Sequence, residues 1–311
     1  MQRIFRWQDS GFDRWVADAL QPGDFIHAMP GQALHTFQKA RQSGVRTVLN
    51  HATGPIWQQN RLMAGEYERA GCFRPPGSLF MKKLEEQHRE EYALTDFHCA
   101  ASTRVRDQLL TEGVAEKKIW VVPYGADTDL FHPMRAESEI PEAPAFRIVF
   151  AGQLVLRKGI RTLLNALNRA GRSDWQLDCY GLISDETRMD RDSYQGPTPV
   201  VYHGPVPARK LAAAFRSASL LVLPSLEEGF GLVVPQALSC GLPCVVSEAV
   251  GARDLIRHRE NGSLFPVQDD AALAEEIKWW SQHRVTLHCP QSWTGPVQQL
   301  IEHSAKILSA T

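Results

Sequence analysis

The 311-residue chain carries 34 Lys and Arg against 35 Asp and Glu, a net charge of −1, and is 43% hydrophobic and 22% charged. That is the profile of a soluble globular protein long enough for two ordinary domains, without a field that would recruit nucleic acid. No apolar stretch approaches the roughly 18 residues of a membrane span, and the opening MQRIFRWQDSGFDRW lacks a signal-peptide core, so a cytoplasmic chain is expected.

Residues 1–20 hold only Gly11 as a turn glycine and show no opening strand. Strand candidates follow at 24–28, 46–50, 97–102 and 118–123, and helical periodicity fills 32–43, 58–71, 79–94 and 103–112. The polar, proline-bearing stretch 132–145 reads as a linker. Beyond it, strands are expected at 147–152, 176–181, 200–204, 220–225, 243–248 and 263–267, with helices between them. Such alternation predicts parallel sheets covered on both faces. The six cysteines (72, 99, 179, 240, 244 and 289) form no CxxC pair and read as reduced, mostly buried thiols.

The most informative stretch runs from Pro224 to Ile256. An apolar run ends at Pro224, an acidic loop with Gly229 and Gly231 follows, and a helical segment over about 232–240 is stopped by Gly241 and Pro243. Strand, glycine-bearing loop and helix together form the unit that offers backbone amides to an anion beyond the strand's carboxyl end. With Glu228 placed to bond sugar hydroxyls, the layout suits a nucleotide-sugar. Arg157 and Lys158 precede Gly159 at another helix start. Two cations there oppose the helix dipole, which argues for an anionic ligand over a purely structural role.

The stretch resembles the donor-site signature of family 4 retaining glycosyltransferases, in which a Glu, the run GFG and a second Glu eight residues after the first open the donor helix. Here these are Glu228, Gly229, Phe230 and Gly231, with Gln236 at the second Glu position. FAGQLVLRKGI (150–160), VYHGPV (201–206), VVPYGADTDLFHP (121–133) and SW (292–293) resemble further motifs of the family, over roughly residues 24–305.

The resemblance implies an α/β protein of the GT-B fold: two Rossmann-like, doubly wound parallel-sheet domains facing across a cleft. It divides the chain into an acceptor-side domain (1–133), a linker (134–145), a donor domain (146–293) and a C-terminal helix (294–311) returning to the first domain. The family's opening strand and Gly-rich turn are missing, so the N-terminal domain is expected to be incomplete, an incomplete reading frame being favoured over a natural minimal domain.

The activity implied is transfer of a sugar from a UDP- or GDP-sugar to a sugar, lipid-linked or other hydroxyl acceptor, with retention and without metal or cofactor. Catalysis is assigned to His51, Arg157, Lys158 and Glu228. Donor binding is assigned to Gly152, Gln153, Gly181, His203, Gly204, Val206, Gly229, Phe230, Gly231, Leu232 and Gln236. His51, at the end of a parallel strand, is expected to face the ligand crevice, with a histidine bonded inside a loop as the alternative. Glutamine at position 236 removes charge assistance from the grip on ribose, at a cost on the order of 1 kcal/mol.

Asp127 and Asp129 spell DTD but follow VVPYG, where they are expected to shape a turn, and DRD at 190–192, in a polar helix or loop, is likewise not read as a metal site. No metal site is expected. The segment 61–89, with Phe73, Leu79, Phe80, Met81, Lys82 and Lys83, is either a helix face packed on its own sheet or a peripheral contact with the inner membrane face. Two other functions stay open. One is a non-catalytic or degenerate subunit that retains a nucleotide-binding domain, favoured by Gln236 and the missing turn. The other is a nucleotide-sugar epimerase of the same fold.

Overall fold

A computed structural model of the chain describes residues 2–71, 79–133, 146–283, 285, 287 and 290–309. The expected linker 134–145 and Phe73, Cys72 and Cys289 lie outside them. The chain divides into two units, the first comprising Met1–Glu68, Phe73–Val122 and Gln298–Thr311, the second Arg69–Cys72 and Pro123–Val297.

In the first unit α1 (Gln2–Ala19) precedes β1 (Phe25–Ala28), α2 (Leu34–Ser43), β2 (Arg46–His51), α3 (Ile56–Ala70), α4 (Leu79–Leu94), β3 (Phe97–Ala100), α5 (Thr103–Thr111) and β4 (Ile119–Val121). The strands form a parallel sheet in the order β1-β2-β3-β4. Side-chain alternation along a strand sorts neighbours to opposite faces. Leu49 joins Ala33 and Phe37 on the α2 side, while Val48 joins Cys99, Trp120 and Val122 on the other. That second face is closed by α11 (Thr294–Ser309), whose Ile307 and Leu300 pack on it and whose His303 stacks on Trp120 at 4.8 Å.

Helix α1 occupies the stretch in which the sequence showed no element, and it packs on α2. Asp13 of α1 accepts from the amides of His35 (2.8 Å) and Thr36 (2.9 Å). Buried Glu91 of α4 accepts from Gly31 (2.6 Å) and Ala33 (3.0 Å). Ala33, the N-cap of α2, has no side-chain acceptor of its own, so these two carboxylates serve the amides around that helix start. Burial pushes the Glu91 carboxyl above its ordinary range, against the pull of those two amides.

The second unit contains β5 (Phe146–Ala151), α6 (Ile160–Ala170), β6 (Trp175–Tyr180), α7 (Asp185–Ser193), β7 (Val200–Gly204), α8 (Ala208–Ser217), β8 (Leu220–Leu223), α9 (Val233–Ser239), β9 (Cys244–Ser247), β10 (Gly262–Phe265) and α10 (Asp270–Gln282). Its parallel strands run β10-β9-β8-β5-β6-β7. Every residue of β8 and β9 is buried, as central strands covered on both faces require. On one face Ile148, Phe150, Leu163, Leu167, Leu177 and Ile277 form the core beneath α6 and α10.

The units divide after Val122, earlier than the Pro133 boundary expected from sequence. Residues 123–133 belong with the second unit because Ala126 donates to the Gln291 carbonyl (2.6 Å) and Phe131 meets Phe215 at 6.2 Å. Asp127 accepts from the amides of Asp129 (3.1 Å) and Leu130 (3.3 Å), the turn role expected for DTD. Asp190 pairs with Arg161 at 2.7 Å. No cluster of metal-ligating side chains occurs among the described residues, and none of their helices is long and apolar enough to cross a membrane.

The described cysteines 99, 179, 240 and 244 are buried thiols. Burial pushes Cys99 up to about 12 and Cys240 to about 11.

Candidate active site

The strand order of the second sheet reverses between β5 and β8: β6 and β7 lie to one side of β5, and β8, β9 and β10 to the other. Loops leaving the carboxyl ends of the two strands at such a reversal diverge and leave a crevice for ligand. The β5 loop carries Gly152, Gln153, Arg157 and Lys158, and the β8 loop carries Glu227, Glu228, Gly229, Phe230 and Gly231.

Side chains from the two loops meet. Lys158 Nζ pairs with Glu228 Oε2. Arg157 Nη1 donates to the Glu227 carbonyl oxygen (2.8 Å) and stands 3.4 Å from the Glu227 carboxylate and 3.8 Å from that of Glu228. Backbone bonding fixes the pairing, because Leu226 donates to the Arg157 carbonyl (2.8 Å). On its far side the β8 loop is held by Glu228 donating to Ala249 (3.1 Å) and by Ala252 donating to Phe230 (2.7 Å). Phe230 is buried, edge-on to Tyr124 at 5.3 Å, and Leu232 is exposed at the start of α9.

The turns after β5, β6 and β7 are laced together in sequence. Gly152 donates to the Tyr180 carbonyl and Gly181 to that of Gly204, each at 2.9 Å. Gly181 sits at φ +149°, and a Cβ there would overlap the Gly152 carbonyl oxygen, so only glycine lets the two turns approach this closely. Gln153 is exposed and Val206 half-buried on the same rim, and Gln236 is half-buried in α9.

Residues 145–283 match the family described as Glycosyl transferases group 1. D-inositol 3-phosphate glycosyltransferase 1 of Catenulispora acidiphila is 31% identical over 259 residues, covering 77% of this chain and 59% of that protein. The lipopolysaccharide 1,6-galactosyltransferase of Escherichia coli is 27% identical over 197 residues, covering 60% of this chain and 52% of that protein. Sucrose-phosphate synthase from Thermosynechococcus elongatus superposes with a TM-score of 0.73 at 21% identity, over 97% of this chain and 78% of that one. Anabaena HepE in complex with UDP-glucose superposes at 0.70 and 18% identity, over 94% and 82%.

Over residues 145–283 the chain carries the group 1 glycosyl transferase domain; as a whole it is similar to family 4-like glycosyltransferases and has the GT-B fold. It spans little more than half the length of the two curated relatives named above.

Two expected site residues of this glycosyltransferase-like chain stand differently from the sequence reading. His51 ends β2, but its ring is fully buried inside the first unit rather than open to a crevice. Its Nε2 lies 2.9 Å from His98 Nδ1, and its Nδ1 lies 3.1 Å from the Tyr92 hydroxyl. Burial and the neighbouring His98 and His88 hold its pKa well below the ordinary histidine value. The cause is an aromatic cluster, since Tyr92 and His98 both pack on the His51 ring.

His203 leans back on the sheet. Its Nε2 is 2.7 Å from buried Asp178, its ring stacks on Tyr180 at 4.5 Å, and Arg147 grips the other Asp178 oxygen at 2.9 Å. Sequence reasoning passed over Glu227, which answers Arg157 with both its carbonyl and its carboxylate. The signal was the adjacent acidic pair itself: the second acid pairs with Lys158, the first with Arg157.

Proposed function

We propose that the chain transfers a sugar from a nucleoside-diphosphate sugar to an acceptor hydroxyl with retention of configuration. The observation that carries this reading is the convergence of Arg157 and Lys158 with Glu227 and Glu228 at the strand-order reversal. A diphosphate entering between the loops competes with the carboxylates for the two cations, and Glu228, relieved of Lys158, accepts from sugar hydroxyls.

In the reaction the bond from anomeric carbon to phosphate oxygen breaks and its electron pair leaves with the diphosphate. Arg157 and Lys158 stabilise that charge from fixed positions, the electrostatic contribution that dominates many transfer reactions. The acceptor oxygen bonds to the same face of the sugar, and its proton passes to the departing phosphate oxygen. No protein base is needed for that step. HepE is known in complex with UDP and with UDP-glucose, which favours a UDP-sugar as the first donor to try.

The test is turnover of UDP- and GDP-sugars with a panel of hydroxyl acceptors, following nucleoside diphosphate release and the anomeric configuration of the product by NMR. Retained configuration with release dependent on Lys158 is expected. Inverted product overturns the mechanism. Nucleotide binding without turnover on any acceptor favours the non-catalytic reading.

A further inference from the structure

A second polar concavity lies wholly within the first unit. It is a cavity of about 430 Å³ whose lining includes Trp57, Arg89, Thr95, His98, Glu112 and Lys118. Thr95 stands just before β3 and Lys118 just before β4, at the amino ends of those strands. Parallel sheets take substrate at the opposite, carboxyl ends. The cavity is therefore separate from any crevice at those ends.

Trp57, Thr95 and His98 are buried, and Arg89, Glu112 and Lys118 are exposed. Trp57 Nε1 and Thr95 Oγ1 are buried with no hydrogen-bond partner among the described residues. Both atoms are closed to solvent, so they lie behind the cavity wall and the two side chains meet the open space through their apolar parts. Arg89 lies over the Trp57 ring at 4.0 Å. Neither Arg89 nor Lys118 forms a salt bridge among the described residues, and the Glu112 carboxylate is engaged by Gln58 at 2.6 Å.

His98 adds a directional donor. Its Nδ1 is committed to His51, whose other nitrogen meets the Tyr92 hydroxyl. When Tyr92 donates to His51, His51 donates to His98, and the His98 proton sits on Nε2. An anion in the cavity selects that arrangement of protons. The wall then offers the His98 ring and the positive charges of Arg89 and Lys118, beside the Gln58-bonded Glu112 carboxylate. The matching ligand is rich in acceptor oxygens and carries more than one negative charge, and the volume leaves room for a small body beyond the charged group.

We infer that this cavity binds a small phosphate monoester, its phosphate held by Arg89, Lys118 and His98 and its body resting against Trp57 and Thr95. This site does not depend on the donor reading, since none of its residues lies in the second unit.

The experiment is calorimetric titration of the full chain with inorganic phosphate and with glycerol 3-phosphate at low ionic strength. Saturable binding is expected, tighter for the ester. Lys118→Gln and Arg89→Gln should each weaken it about tenfold, while Lys210→Ala, on the exposed start of α8, leaves it unchanged. Lys118→Gln serves as the primary variant because Lys118 makes no ring contact whose loss would disturb folding, and unaltered melting of the ligand-free variant checks this. In ¹⁵N-histidine spectra, bound ligand should fix the His98 proton on Nε2. Absence of saturable binding, or binding that survives Lys118→Gln and is lost in Lys158→Ala, overturns the site. Equal affinity for phosphate and ester overturns the ester assignment.

Discussion

Gly159 and Pro224 join the two loops that meet at the strand-order reversal: a Cβ on Gly159 would overlap the Pro224 carbonyl oxygen. Gly159 also holds φ +70°, in the left-handed region. The residue that caps α6 therefore also sets the approach of Arg157 and Lys158 to the β8 loop.

Replacing it tests that coupling. Gly159→Ala should destabilise the chain by at least about 2 kcal/mol, combining backbone strain with displacement of the Pro224 segment. Gly171→Ala is the control, with φ +64° but nothing within 4 Å of the added carbon, and should cost only about 1 kcal/mol. Chemical denaturation measures both. Equal losses would show that backbone strain alone, and not the loop contact, accounts for the effect.

The donor reading predicts that a nucleoside diphosphate raises the melting temperature of the chain. Lys158→Ala should abolish most of that rise, whereas Lys210→Ala, on the exposed start of α8, should leave it intact. Comparing UDP with GDP in the same assay identifies the base. Equal responses from the two variants would remove Lys158 from the site.

How much of this was legible in the sequence divides along physical lines. The ten strands of the described residues follow from short apolar runs, most of them bounded by glycine or proline, and the meeting of Arg157, Lys158 and Glu228 follows from their places after two strands of one parallel sheet. The surroundings of His51 did not follow. Its burial depends on Tyr92, forty-one positions away on α4, and on His98 on the adjacent strand, contacts that periodicity does not encode. Helix α1 was passed over because the sequence reading looked there for an opening strand; the capping of α2 by its buried Asp13 is a tertiary contact that periodicity does not encode.

Chelation should leave nucleotide binding and any sugar transfer unchanged within a factor of about two, because Arg157 and Lys158 supply the fixed charge that a metal would otherwise provide. The measurement is titration and turnover before and after exhaustive treatment with a chelator. A large loss restored by added magnesium or manganese would require a different account of how the diphosphate is held.

The buried histidines make stability depend on acid. His98 is held at about 4, by burial first and by Lys118 second, and His88 at about 4 by burial. Both lie below the unfolded value of about 6.5, so between pH 6.5 and 4 the unfolded chain binds more protons than the native one. Stability from the neutral rings is complete above pH 6.5 and is lost as pH falls toward 4. His98 alone accounts for on the order of 3 kcal/mol across that window. His98→Phe should flatten this acid limb in denaturation curves taken from pH 7 to 4.5, and an unaltered slope would reassign the dependence to other groups.

Gln236 offers the last test. It sits half-buried on α9, beyond the loop that holds Glu228, where the resemblance places a carboxylate on the donor ribose. A neutral amide accepts from one hydroxyl and donates to another, and gives up the charge-assisted bond. If a ribose reaches this point, Gln236→Glu should tighten nucleoside diphosphate binding by about 1 kcal/mol, roughly fivefold. The gain should vanish for inorganic diphosphate, which has no ribose. Calorimetry with both ligands makes the comparison. Tighter binding of both would mean a general rearrangement of α9, and weaker binding of the nucleotide would place the ribose elsewhere, leaving Gln236 as packing within the donor unit.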